Sequence, residues 1–171
     1  MPTIYLISLV TFLFPICLLI TIELYKLCRQ FFIINNILKR QDKENINSYE
    51  SLQLAQIYLK QKKWISSIII LESNINQENK IIEQFYNCIG FCYCQIKHYN
   101  LSQYYYLQAI KKQPIYLSAL HNLAKLYEIL NDYKNTTDIY IKILKIDNKN
   151  KKAKQKLIML NTKKYNRDSR I

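Results

Sequence analysis

Glycine is almost missing from this chain. It occurs once, at Gly90, and proline occurs three times, at Pro2, Pro15 and Pro114. Glycine supplies left-handed turns and lets backbone approach phosphates closely. Its scarcity therefore excludes glycine-rich phosphate loops and collagen-like segments and argues against β-sandwiches. The two histidines, His98 and His121, fall on different surfaces, and no Ser–His–Asp or Cys–His grouping forms at these spacings. Acidic residues are scarce too: 12 Asp and Glu stand against 25 Lys and Arg, a formal charge of +13. No acidic or basic side chain precedes Glu23, so the whole excess falls on the residues from there to the C-terminus. Such a surface attracts anionic lipid, acidic protein or nucleic acid without deciding between them.

What the chain does have is apolar side chains, 50% of 171 residues. That suffices for one packed domain plus an anchor. Leu, Ile, Lys, Gln and Glu permit helix nearly everywhere, although Ile and Tyr are mediocre helix formers, so packing must supply much of the stability. The abundance of Ile, Lys, Asn, Tyr and Phe matches drift in an AT-rich genome, such as that of a plastid, mitochondrion or parasite. Drift of that kind discounts surface Lys and Asn as functional signals.

The five cysteines are Cys17, Cys28, Cys88, Cys92 and Cys94. An odd number in a glycine-poor chain indicates a reducing compartment. Cys88 and Cys92 share a helical face, but Cys94 points elsewhere, and no second pair or histidine completes four ligands. They are predicted to be small buried hydrophobes. No metal, cofactor or small-molecule site is predicted, and the chain is read as non-enzymatic.

The segment Ile4 to Ile22 is long enough to cross the ~30 Å hydrocarbon layer. Residues 1–23 are predicted to be an uncleaved transmembrane anchor contacting membrane lipid through residues 4–22. A cleaved signal peptide normally has basic residues ahead of the apolar run and small residues at the cut, and this segment has neither. Lys26, Arg29, Lys39 and Arg40 all lie after the span, which places the C-terminal body on the cytoplasmic or equivalent side. Residues 24–47, with Leu27, Phe31, Phe32, Ile34 and Ile37 between basic residues, read as a juxtamembrane helix or linker. They either lie on lipid or pack against the first repeat; both alternatives stay open.

Beyond the anchor the chain repeats itself. Residues 83–116 and 117–150 align without a gap at a period of 34 residues. Tyr86 matches Leu120, Ile89 matches Leu123, Gly90 matches Ala124 and Tyr93 matches Tyr127. Further on, Tyr99 matches Tyr133, Ser102 matches Thr136, Tyr106 matches Tyr140 and Ala109 matches Ile143. A degenerate copy, 48–82, holds Leu54, Ala55, Tyr58, Trp64, Ser67 and Leu71 at the same offsets. Small residues at 55, 90 and 124 let two antiparallel helices approach, and the tyrosines three residues on fill the gap between them. Each helix pair leaves an apolar face bare until the next stacks on it.

A helix–turn–helix of this period, with a small residue at its eighth position and aromatics at its eleventh and seventeenth, resembles the tetratricopeptide repeat. Pro114 falls where that family favours proline. Departures are Ser67, Ser102 and Thr136 for alanine, Lys97 and Asn131 for glycine, and Asn148 for proline. The resemblance implies an all-α fold: a transmembrane helix, then an array over 48–160 of about three helix pairs with a cap at 151–160. Residues 161–171 are predicted to be a basic tail.

In that family the first helix of each pair lines the concave side, exposing the second, fifth, ninth and twelfth positions. Carried onto this chain, the predicted protein-binding groove includes Leu52, Gln56, Gln84, Asn87, Phe91, Ser118, His121 and Lys125, with Tyr49, Leu59, Cys94 and Glu128 in the same register. Leu52 and Phe91 can equally be core residues. One class in the family clamps chaperone C-terminal carboxylates with Lys and Asn in the first unit. Leu52 and Gln56 stand there instead, which argues against that role.

Taken whole, the chain is similar to the plastid-encoded and cyanobacterial tetratricopeptide family that helps assemble or stabilise photosystem I. That resemblance implies a thylakoid location, a stroma-facing repeat domain and contact with photosystem I subunits or assembly intermediates. Rival readings are an organellar membrane import receptor and a basic RNA-associated repeat protein. The lysine clusters at 60–63, 111–112 and 151–156 come with no base-reading motif, which disfavours nucleic acid.

Overall fold

A computed structural model describes residues 2–41, 47–75 and 80–168. Met1 of the predicted anchor, residues 42–46 of the predicted linker, 76–79 of the first repeat and 169–171 of the predicted tail lie outside the described residues. Every regular element among the described residues is an α-helix. The chain divides into two compact units, Met1–Ile46 and Asn47–Ile171.

The first unit holds one helix, α1 (Pro2–Gln41), 40 residues long and about 60 Å from end to end. It runs through Pro15 and through the boundary at residue 23 where the sequence separates anchor from juxtamembrane helix. Within α1, Ser8–Ile33 is long and apolar enough to cross a membrane, by length and composition. Phe12, Phe14 and Leu19 are among its exposed apolar side chains. Two of its hydroxyls are satisfied within the helix: Thr11 and Thr21 donate to the carbonyls of Ser8 and Leu18, each at 2.8 Å.

The second unit is the array. Helices α2 (Ser48–Lys60) and α3 (Trp64–Ser73) form its first pair, α4 (Ile82–Gln95) and α5 (Tyr99–Lys112) its second, α6 (Leu117–Ile129) and α7 (Tyr133–Ile146) its third. Helix α8 (Lys151–Asp168) comes last, extending past Leu160, the predicted end of the cap. The core obeys the repeat register. Leu52, Ala55, Leu71, Ile81, Phe85 and Ile89 form one buried cluster, and Tyr106, Leu123, Leu126 and Tyr127 another. Leu120, Ala124, Tyr140, Ile143 and Ala153 form a third, in which Ala153 brings α8 onto the last pair. Each fully buried Leu, Ile or Phe contributes about 1.5–3 kcal/mol before the entropy of ordering is set against it.

Three identical turns set the pairs. Lys62, Lys97 and Asn131 all adopt left-handed backbone, with φ of 59°, 64° and 56°. The next amide reaches back to the carbonyl of the register tyrosine: Lys63 to Tyr58, His98 to Tyr93 and Asp132 to Tyr127, each at 2.9 Å. Inside each loop Lys62, Lys97 and Asn131 donate to Leu59, Cys94 and Glu128. This is a Schellman termination, in which helix-end carbonyls that would lose their partners are satisfied by the turn. Glycine is the residue such a turn prefers, and this chain builds it with lysine and asparagine.

Helix ends elsewhere have separate causes. Pro114 stops α5, and Gln113 before it is extended (φ −136°, ψ 95°), as a residue preceding proline must be. Asn148 replaces that proline in the third pair. There the Asp147 carboxylate accepts the Lys149 amide at 3.1 Å and makes the turn. Asn150 then accepts the Ala153 amide at 3.0 Å, capping α8.

Candidate protein-binding groove

Which side of the array is the inside is decided by which helices touch. The backbones of α2 and α4 approach each other, as do those of α4 and α6. Those of α3, α5 and α7 do not approach one another among the described residues. The first helices therefore form the tighter inner layer, and the second helices splay along the outside. Gln56, Gln84, Asn87, Phe91, Ser118, His121 and Lys125 lie on these inner helices outside the buried clusters.

The eight predicted groove residues do not share one environment. Gln56, Ser118 and Lys125 are exposed, whereas Gln84, Asn87, Phe91 and His121 are half-buried. Leu52 is a core residue: it is 6% exposed and sits in the cluster with Ile81 and Phe85. Where the second and third units carry Asn87 and His121 at its register position, the first unit uses the position for packing. Phe91 is half-buried and stands edge-on to Trp64 of α3, with ring centroids 6.0 Å apart.

Two polar contacts tie the inner layer together. Asn122 Nδ2 donates to Asn87 Oδ1 at 2.9 Å, joining α6 to α4. Asn150 Nδ2 meets His121 Nε2 at 3.4 Å, joining the start of α8 to α6. Burial holds His121 below the ordinary imidazole range; nearby Lys152 adds to this, and Asp147 opposes it. Its ring is therefore neutral near pH 7, and Nδ1 is buried with no hydrogen-bond partner. Glu128 anchors the far end. Its Oε1 accepts the Tyr140 phenol at 2.8 Å, and its Oε2 pairs with Lys156 at 2.7 Å. Asn122 and Asn150 are absent from the predicted set. Asn122 lies one residue past the register position, and Asn150 lies in a turn; their only sequence signal is a polar residue beside an otherwise apolar stripe.

Among the described residues no group of three or more His, Cys, Asp or Glu could hold a metal ion. Burial pushes the Cys88 thiol up to about 12 and the Cys92 thiol up to about 11, so both stay protonated at neutral pH and are poor ligands and nucleophiles. The surface offers amides, one hydroxyl, one exposed lysine and two half-buried rings, Phe91 and His121.

A stack of helix pairs with this register and these turns has a tetratricopeptide-type fold. The solved structure of MamA overlays on it with a TM-score of 0.67 at 18% identity, covering 79% of this chain and 78% of MamA. The first TPR of Spaghetti (RPAP3), bound to an HSP90 peptide, overlays with a TM-score of 0.61 at 14% identity, covering 68% and 91%. In sequence, the chain is 37% identical over 123 residues to protein ycf37 of Guillardia theta, 70% of this chain and 68% of that relative. The chain belongs to the ycf37 family. No protein-family model matches it.

Proposed function

We propose that the protein is a membrane-anchored scaffold that holds photosystem I subunits or assembly intermediates at the stromal side of the thylakoid. The observation that carries the binding role is the inner layer, where Gln56, Gln84, Asn87, Ser118 and Lys125 stay accessible on helices whose other faces are buried. A related array holds a peptide in its solved structure. The apolar residues 4–22, which precede the first charged side chain, supply the anchor. Confinement to a membrane raises the effective concentration of the groove near membrane-inserted partners. The basic residues Lys26, Arg29, Lys39 and Arg40 favour keeping the array on the stromal side. The choice of photosystem I rests on the family resemblance of the whole chain.

Affinity capture from detergent-solubilised thylakoids tests this reading, with native electrophoresis of the eluate. Photosystem I subunits or precursors should co-purify with the chain and be lost with Lys125→Glu combined with Gln84→Ala. Recovery of import substrates or RNA in their place, with no photosystem I subunit, would overturn it.

A further inference from the structure

The outer layer carries a feature that groove and anchor do not use. Ile65 and Ile69 of α3 and Leu101, Tyr104 and Leu107 of α5 are each between 43% and 61% exposed. Ile69 and Tyr104 share a register position, the twenty-second place of their units. In the third unit the row turns polar: Lys134 stands where Ile65 does, and Asp138 where Ile69 and Tyr104 do. The apolar surface is thus densest on the first two pairs, with Ile141 of α7, at the register position of Leu107, 42% exposed beyond it.

Three observations identify what meets it. The gap between α3 and α5 is filled, because Tyr105 donates to Glu72 Oε1 at 2.8 Å and stacks on Tyr93 at 5.5 Å. Glu72, the acidic residue on this face, is engaged by the phenols of Tyr105 and Tyr93. The ends of the patch are basic: Lys62 and Lys63 precede α3, and Lys111 and Lys112 close α5, all exposed. Exposed aliphatics and a tyrosine between lysines have the composition of a surface that sits at the headgroup boundary of an anionic bilayer. The same chain, moreover, carries a helix long and apolar enough to cross a membrane.

We infer that the outer face of α3 and α5 rests on anionic lipid, with Ile65, Ile69, Leu101, Tyr104 and Leu107 at the acyl boundary and the four lysines over phosphates. This contact is separate from the groove. It uses the membrane reading of α1 only to bring the array near lipid.

The test uses the full chain in vesicles of phosphatidylcholine with or without phosphatidylglycerol, brominated near the headgroup. Trp64, the sole tryptophan, is replaced by Trp64→Phe, and Tyr104→Trp or Asp138→Trp serves as reporter. With phosphatidylglycerol, the Tyr104→Trp reporter should be blue-shifted and quenched about threefold more than the Asp138→Trp reporter, and the gap should close in high salt. Equal quenching of the two overturns the inference. So does a Tyr104→Trp reporter that stays solvent-exposed on lipid and is shielded only when membrane proteins are added, which would make the occupant a protein. Vesicle flotation scores α1 independently, so a chain that floats with an unquenched reporter fails here without touching the anchor. Should the Trp64→Phe background not fold, hydroxyl-radical footprinting of the unaltered chain reads the same face. Protection of Tyr104 and Ile69 by phosphatidylglycerol vesicles over phosphatidylcholine supports the contact, and equal labelling overturns it.

Discussion

The second and third repeat units share a register yet hold their helices together differently. In the second, Ser102 reaches across to the Gly90 carbonyl at 2.8 Å. A Cβ at Gly90 would lie 2.8 Å from Tyr106 Cδ1 and 3.2 Å from the Ser102 carbonyl. The helices there meet as closely as a missing side chain permits. In the third unit Ala124 fills the small position, and Thr136 turns back to its own helix, donating to the Asp132 carbonyl at 2.6 Å. Tyr140, the counterpart of Tyr106, reaches Glu128 instead. The first unit sides with the second: Ser67 donates to the Ala55 carbonyl at 3.2 Å. One sequence offset thus serves two designs, contact through backbone and contact through a polar network that recruits the cap.

That contrast can be broken at its tightest point. Gly90→Ala gains helix propensity worth up to ~1 kcal/mol, but it forces a methyl against a ring that is 1% exposed. A net loss of about 1–2 kcal/mol should appear as a lower midpoint in chemical denaturation. A midpoint that does not fall would show that Tyr106 can move aside. Ser102→Ala should cost about 1 kcal/mol by losing an inter-helix bond, whereas Thr136→Val should cost far less because its bond is local; equal losses would erase the distinction. Lys97→Gly should raise stability by about 1 kcal/mol, relieving left-handed backbone on a residue with a Cβ. Asn131→Gly should gain only a few tenths, since asparagine tolerates that region. Thermal melts of both variants would rank them.

The smallest effect is one of pH. The lowered His121 value means the folded array prefers the neutral ring. Its contribution is therefore complete above the ordinary value of 6.5 and is lost as pH falls through the lowered folded value. His121→Gln should flatten that part of the stability profile, and an unchanged slope below pH 6.5 would remove His121 as its source.

The register was legible in the sequence because it is steric. Ala55, Gly90 and Ala124 recur where bulk is forbidden, and Tyr58, Tyr93 and Tyr127 recur where a gap must be filled. The turns were half legible. Their place is set by the period, but Lys62 and Lys97 hide a left-handed residue that only glycine would have announced. The unbroken course of α1 was not legible, because composition changes at Glu23 while the helical hydrogen bonds do not. The groove was the least legible. Whether Leu52 lines it or packs depends on Ile81 and Phe85 covering it, and the rung from Asn87 to Asn122 depends on two helices from different units meeting at one height.

Because neighbouring outer helices share no backbone contact among the described residues while inner ones do, the array is hinged along one edge, like a fan held at its rivets. Spreading α3 from α5 must pull Tyr105 from Glu72, and parting α4 from α6 must pull Asn122 from Asn87 as well as separate backbones that already touch. The stack should consequently widen or narrow its inner channel at low cost, accommodating guests of different girth without unfolding any single pair.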